Sequence, residues 1–455
     1  MIIRPAKRTD TVREYYFSRK LKEVALLDAR RRAEARPGII NLGIGAPDRM
    51  PPEPVIKALV RNAELPGVHA YQSYVGIPEL RQAFADWYSR YYGVTLDPAA
   101  EIQPLVGSKE GILLISLAFL DKGDKVLVPD PGYPTYTSAT RLTEAEIITY
   151  DLKEEDGWMP DFDALERMDL TGVKLMWTNW PNMPTGAPAS MELYSRLVGF
   201  GRRHGIMICN DNPYSFILND APLSIFAVPG ARECCIELNS LSKAHNMSGW
   251  RIGMVAAASD VIAEILKVKS QMDSGMFRPL QMAAVEALKQ GPEWFAQLNS
   301  EYRSRRRLAG KIFDLIGVKY NPDSSGLFLW GKAGADNPLA AAWENIGSGN
   351  IGGDPDNGCA AGNRDVRLGR NAENGMAANT GGGPGTGGVA EAGNGAGKTG
   401  KTLGERVSDA ALYGAGVFIT PGLIFGKNGE DYVRISLCAA QDVLKEAYDR
   451  LAAML

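Results

Sequence analysis

An α/β fold is what the order of apolar segments predicts. A mostly parallel sheet would be sandwiched by helices in a large domain, and a smaller α+β domain would follow. Three observations carry this. Apolar runs without polar alternation recur at 126–128, 173–177, 206–209 and 235–238, as expected of strands buried on both faces. Stretches with helical spacing separate them. Polar and glycine-containing turns gather where the runs end, which is where such sheets bind ligands.

The bulk properties set limits. At 455 residues, with 23% charged residues and a net charge of −3, the chain can bury a large core and shows no bias toward nucleic acid. Five cysteines, none in a Cys-x-x-Cys pair, suggest neither a disulfide framework nor a zinc site. Residues 1–36 are dense in charge and hold no apolar segment of the signal-peptide type. No apolar run reaches membrane-spanning length, so a cytoplasmic location is the expectation.

In chain order, Val12, Tyr16, Phe17, Leu21, Val24 and Leu27 predict an amphipathic helix within 9–35. Gly43-Ile44-Gly45-Ala46-Pro47-Asp48 would let the backbone pass close to a ligand, although a plain turn explains it equally well. Helices are expected at 51–64 and 78–91, with the loop Tyr71-Gln72-Ser73-Tyr74-Val75-Gly76 between them. Gly107-Ser108-Lys109-Glu110-Gly111 lies between an apolar run and a helix, where free amides and the dipole favour an anion. Strand ends follow at Pro131-Gly132-Tyr133-Pro134, Asn179 to Gly186, and Asp211-Asn212-Pro213-Tyr214. The run at 235–238 empties into Ser240-Leu241-Ser242-Lys243, and Arg251 comes eight residues later. A lysine in apolar surroundings is suited to Schiff-base chemistry, and nearby serines and an arginine suit a phosphate. One long helical region is expected at 279–307, a strand pair at 318–330 and a terminal helix after Tyr432-Val433-Arg434.

Composition changes after Lys332. Gly, Ala and Asn dominate, and no aromatic residue occurs between Trp343 and Tyr413, so 334–402 is expected to be a flexible insertion. It contains Gly395-Ala396-Gly397-Lys398-Thr399-Gly400-Lys401-Thr402, a phosphate-loop match, and Gly347-Ser348-Gly349-Asn350-Ile351-Gly352, a dinucleotide-loop match. No strand is expected before either, and abundant glycine produces such matches by chance.

Taken singly, Asp211 reads as well as a turn cap, Tyr133 and Tyr214 as core aromatics, and Arg434 as a strand-edge charge. In order and spacing, however, these segments resemble the class I/II aminotransferases, the fold-type I pyridoxal-5′-phosphate enzymes, over nearly the whole chain. The resemblance implies the following roles. Lys243 would bind pyridoxal 5′-phosphate as a Schiff base and carry a proton. Asp211 would pair with the pyridinium nitrogen, Tyr214 would hydrogen-bond the phenolic oxygen, and Tyr133 would stack on the ring. Gly107, Ser108, Lys109, Ser240 and Arg251 would hold the phosphate, helped by Tyr71 from a second subunit of a homodimer. Arg434 would grip the substrate α-carboxylate, with the backbone at Gly45 closing over it. The large domain would span 48–285 and the small one 1–47 with 286–455.

One position departs from the family pattern. Met183 stands before Pro184-Thr185-Gly186, where an asparagine normally donates to the phenolic oxygen. Asn182 is a candidate cofactor contact, although adjacent side chains on an extended segment point to opposite sides. Transfer of an amino group between an α-amino acid and a 2-oxo acid is the implied reaction. The alternatives are a C–S β-lyase using the same residues and a weakly catalytic cofactor-binding protein. The Gly-Ser-Lys-Glu-Gly loop resembles that of some members acting on diaminopimelate or other amino-dicarboxylates, but in the family this loop faces the phosphate rather than the substrate side chain. Arg278 reads first as a surface arginine, with a distal carboxylate partner as the alternative.

Overall fold

The computed structural model describes residues 2–12, 14–347 and 400–455. Its large sheet has seven strands in the order Ile102–Leu105, Gly253–Ala256, Cys235–Ser240, Met207–Asp211, Val173–Asn179, Lys125–Asp130, Glu146–Asp151. Within Val173–Asn179, Leu175 and Trp177 pack on one face and Met176 on the other, which explains why 175–177 is apolar at every position. Gly253–Ala256 alone runs against the rest. Its connection from Cys235–Ser240 holds only short helical turns at Leu241–Ala244 and Ser248–Trp250, so no crossover helix carries the chain back to a parallel start.

The strands at 126–128, 173–177, 206–209 and 235–238 form where expected. Glu146–Asp151 is an additional edge strand whose residues are mostly partly or fully exposed, so it lacks the apolar signature of its neighbours. The helical region predicted at 279–307 is two helices, Arg278–Leu288 and Pro292–Leu315. Gly291 and Pro292 separate them: proline supplies no amide to a preceding turn and starts the second helix instead.

A second, antiparallel sheet has the order Thr420–Pro421, Tyr432–Ser436, Phe328–Ala333, Val318–Tyr320. The N-terminal helix is Tyr16–Ala33, and its Val24 packs with Leu412 and Phe418. Ile40–Asn41 pairs with Val417–Phe418, tying the two ends of the chain together. Arg305, 2% exposed, fixes the joint between the sheets. It grips Asp48 through two bonds of 2.8 and 3.1 Å and donates to the Leu437 and Cys438 carbonyls.

The segment expected to be a flexible insertion, 334–402, overlaps regular structure at its start. Residues Pro338–Gly347 form a helix; Leu339 and Ala340 are buried, and Trp343 lies against Tyr413, with ring centroids 6.0 Å apart. Alanine-rich composition there reflects close packing rather than lack of structure. Residues 348–399 lie outside the described residues, and with them most of both glycine-rich matches. The end of the phosphate-loop match is described. Thr402 caps the helix Leu403–Ala410 in a capping box with Glu405, and Lys401 pairs with Asp409. Both side chains that a phosphate loop would aim at a nucleotide are thus committed elsewhere.

Candidate active site

Parallel pairing places neighbouring strand ends side by side. Asp211 ends Met207–Asp211 opposite Leu238, and two residues beyond Leu238 lies Ser240, the end of its strand. Ser240 Oγ accepts the Ser242 amide at 3.2 Å, starting the single helical turn that carries Lys243. The Lys243 ammonium reaches the Gly45 carbonyl at 2.6 Å. Burial holds its pKa below the ordinary lysine value, reinforced by Arg251 and Arg434, so a larger share of the amine is free to act as a nucleophile.

These side chains line a cavity of about 350 Å³ with Ser108, Lys109, Tyr133, Tyr214, Arg251 and Arg434. Asp211 is buried, and one carboxylate oxygen accepts the Tyr136 hydroxyl at 3.1 Å. The other, Oδ1, is buried with no hydrogen-bond partner. Burial pushes its pKa up to about 7, although Tyr136 and Lys243 pull the other way. Such a group demands a charged donor from a bound molecule.

At the opposite side, Gly107 has φ +78° and caps the helix Ser108–Phe119, leaving the first amides of that helix free. The Arg251 guanidinium also lies against Gly107, so any side chain there would have to displace it. Arg251 is itself in the left-handed region, at φ +57°, and donates to the Ser248 carbonyl at 2.9 Å.

Arg434 forms a third corner. It is 3% exposed, and its guanidinium carbon sits 3.8 Å from the Phe328 ring centroid. It donates to the Gly43 carbonyl at 2.9 Å and to the Met183 sulfur at 3.2 Å, while Nε has no partner. Burial brings its pKa down to about 10, which leaves it charged at neutral pH. Among the described residues no carboxylate pairs with it, and the arrangement suits a carboxylate brought by a ligand.

Two residues expected at the site stand apart. Asn182 does not line the cavity; it accepts the Thr185 hydroxyl at 2.7 Å and donates to the Asn179 carbonyl, bracing the turn. Tyr71 is 90% exposed on its loop and does not reach the cavity of its own chain. Arg278 pairs with Glu79 at 3.4 Å at the surface. Conversely, Tyr136 and Asn179 line the cavity although sequence reasoning did not single them out. Asn179 is the last residue of its strand, a positional signal; Tyr136 carried none. Tyr15, Phe17 and Leu21 bring the start of the chain over the same cavity.

The model of the family described as aminotransferase class I and II matches residues 37–351. The chain belongs to the class I and II aminotransferases. LL-diaminopimelate aminotransferase from Nitratidesulfovibrio vulgaris is 35% identical over 91% of both chains. The protein of that name from Aquifex aeolicus is 39% identical over 70% of this chain and 84% of its own. Among solved structures, substrate-bound BacF from Bacillus subtilis superposes with a TM-score of 0.79 at 28% identity, covering 100% of this chain and 98% of its own. The protein is therefore a pyridoxal-5′-phosphate-dependent transaminase, and its substrates are amino acids and 2-oxo acids.

The residues present fit that cofactor. The unpartnered Asp211 Oδ1 offers a protonated pyridine nitrogen its acceptor, and the open amides behind Gly107 with Arg251 offer a phosphate its donors. Ring chemistry then sets the remaining side. A phosphate held at Arg251 would leave the phenolic oxygen to the other side of the site, since the two substituents flank the aldehyde. Tyr214 and Met183 line the cavity where that oxygen would be held, and the nearby Asn179 amide is committed to the Asp211 carbonyl. Losing the amide donor costs about 1–3 kcal/mol of phenolate stabilisation. Restoring it by Met183→Asn should lower the pKa of the bound cofactor's visible absorbance by about one unit. A spectrophotometric pH titration reads this, and an unmoved midpoint would sink the assignment.

Proposed function

We propose that this aminotransferase takes an amino dicarboxylic acid of the diaminopimelate kind as donor and passes the amino group to a 2-oxo acid. The observation that carries this reading is the pair of cations on the cavity wall. Arg434 suits the α-carboxylate, and the Lys109 ammonium, 4.3 Å from the Tyr15 ring centroid, suits a second acid group. Neither pairs with a carboxylate among the described residues. The relatives that share 33–39% identity and bear the name LL-diaminopimelate aminotransferase support it.

In this reading Lys243 holds pyridoxal 5′-phosphate and, once released, moves a proton at the substrate α-carbon. The cofactor supplies an electron sink for the bond that breaks there. Asp211 keeps the ring nitrogen protonated, Tyr133 packs against the ring, and Tyr214 donates to the phenolic oxygen. Gly107, Ser108, Ser240 and Arg251 bind the phosphate, Lys109 turns from the phosphate role the resemblance implied to the distal acid group, and Gly45 and Arg434 orient the substrate. Tyr71, Tyr74, Phe277 and Val106 expose apolar surface around the phosphate loop. A second copy covering that face would bring Tyr71 to its neighbour's phosphate, and we assign the working state as a cytoplasmic homodimer with a large unit over 48–285. Among the described residues no helix is long and apolar enough to cross a membrane.

The test adds amino acids one at a time and follows conversion of the visible band to the pyridoxamine form. LL-diaminopimelate should convert the enzyme at lower concentration than alanine. Lys109→Met should raise KM for the diacid by about tenfold and spare alanine. Conversion by monocarboxylic amino acids alone would overturn the substrate class. Met183 favours one second reading, C–S β-elimination, since contacts at the phenolic oxygen bias the fate of the carbanion. Pyruvate and ammonia formed without an oxo acid would be its signature.

A further inference from the structure

Lys269 is the one buried lysine outside the cavity among the described residues: its side chain is 1% exposed at the end of the helix Ser259–Lys269. Its ammonium lies 3.3 Å from one oxygen of Glu110 and closer still to Asp273. The other Glu110 oxygen accepts the Val106 amide at 2.6 Å, fastening the backbone immediately before Gly107 and Ser108. Asp273 in turn accepts the Gly275 amide at 2.9 Å. Gly275, at φ +85°, lies so near the 72–73 backbone that a Cβ would sit 2.4 Å from the Gln72 carbonyl oxygen.

One ammonium therefore anchors two strands of contact. The first runs through Glu110 to the loop that precedes the anion-binding amides. The second runs through Asp273 to the loop that carries Tyr71. Glu110 is the third residue of the helix whose N-terminus faces the anion. A carboxylate there suits the helix dipole, yet unneutralised it would repel a dianionic phosphate.

We propose that Lys269 is a positioning residue for the cofactor phosphate: it cancels the Glu110 charge so that Glu110 can hold the Val106 amide without opposing the anion. The proposal rests on the reading that Gly107, Ser108 and Arg251 bind that phosphate. It assigns Lys269 no contact with the phosphate itself.

The holoenzyme is dialysed and the cofactor that remains is read from its visible absorbance, with thermal melting recorded beside it. Lys269→Met should lose cofactor at least about tenfold more readily than wild type, the worth of one charge-assisted interaction. A buried carboxylate left alone can itself unfold a chain, so the deciding variants remove Glu110, the less exposed of the two, and both leave Asp273 in the same unpaired state. Glu110→Gln with Lys269→Met keeps an acceptor for Val106 and should retain cofactor within about threefold of wild type. Glu110→Ala with Lys269→Met lacks that acceptor and should be about tenfold weaker again. Equal retention by these two double variants overturns the proposal, as does wild-type retention in Lys269→Met. Arg251→Met separates the two levels: if it leaves retention unchanged, the phosphate assignment itself is wrong.

Discussion

Replacing Lys243 with alanine removes the visible absorbance of the purified enzyme and lowers transamination by at least about 10⁴-fold. Two losses combine in that figure. On the proposed assignment the amine that attaches the cofactor is gone, and so is the group that carries the proton at the α-carbon, a role worth about 10²–10⁴-fold by itself. The fold should survive. Lys243 lies in a short helical turn, where alanine is well tolerated, and its ammonium makes one hydrogen bond, to the Gly45 carbonyl. Borohydride reduction followed by peptide mapping gives an independent reading: label belongs on residue 243 in wild type and nowhere in the variant. A visible band that persists in Lys243→Ala, or label on a different lysine, would be incompatible with the site described.

Asp211→Asn should behave differently. The cofactor still attaches, so the band remains, while kcat falls by about 10²–10³-fold because a preorganised charge beside the ring is lost. A pH signature accompanies it. Burial raises the Asp211 carboxyl to about 7 in the protein, against 3.8 for the free side chain. Between those values the folded chain holds a proton that the unfolded chain has released, so stability falls as pH rises through that window. The full span is worth at most roughly 4 kcal/mol. Supplying a positively charged partner favours the ionised carboxylate and removes the penalty. Denaturant titrations should therefore show cofactor-free protein weakening from pH 5 to pH 8, the holoenzyme weakening less, and Asp211→Asn losing this component. A cofactor-free wild type whose stability rises over that range would refute the assignment.

The strands that position these groups were legible because burial on both faces writes a mostly apolar run without alternation. Glu146–Asp151 escaped for the opposite reason: one edge is unpaired and much of the strand meets solvent. Reversal of Gly253–Ala256 depends on the route of 241–252, which no local pattern states. Within the site, Lys243, Asp211 and Arg434 stood out through the order and spacing of the segments that resemble the class I/II aminotransferases, since each taken singly had a plainer reading. Tyr136 did not, since an aromatic in a helix looks like core until its hydroxyl is seen on Asp211. Asn182 and Asn179 show the limit most directly. Both lie near the same turn, and only the folded backbone decides that Asn179 faces the cavity while Asn182 braces the peptide chain. Composition misjudged 338–347, where small residues fit a tight helix–helix seam.

The Arg305 clamp has a consequence for how the enzyme grips its substrate. By fastening Asp48 and the carbonyls of Leu437 and Cys438 to a single guanidinium, it makes the Gly45 loop and the Arg434 strand one mechanical part. Neither can be adjusted without dragging the other. Loosening this bolt should blur recognition of every substrate alike while leaving the vitamin-derived ring seated.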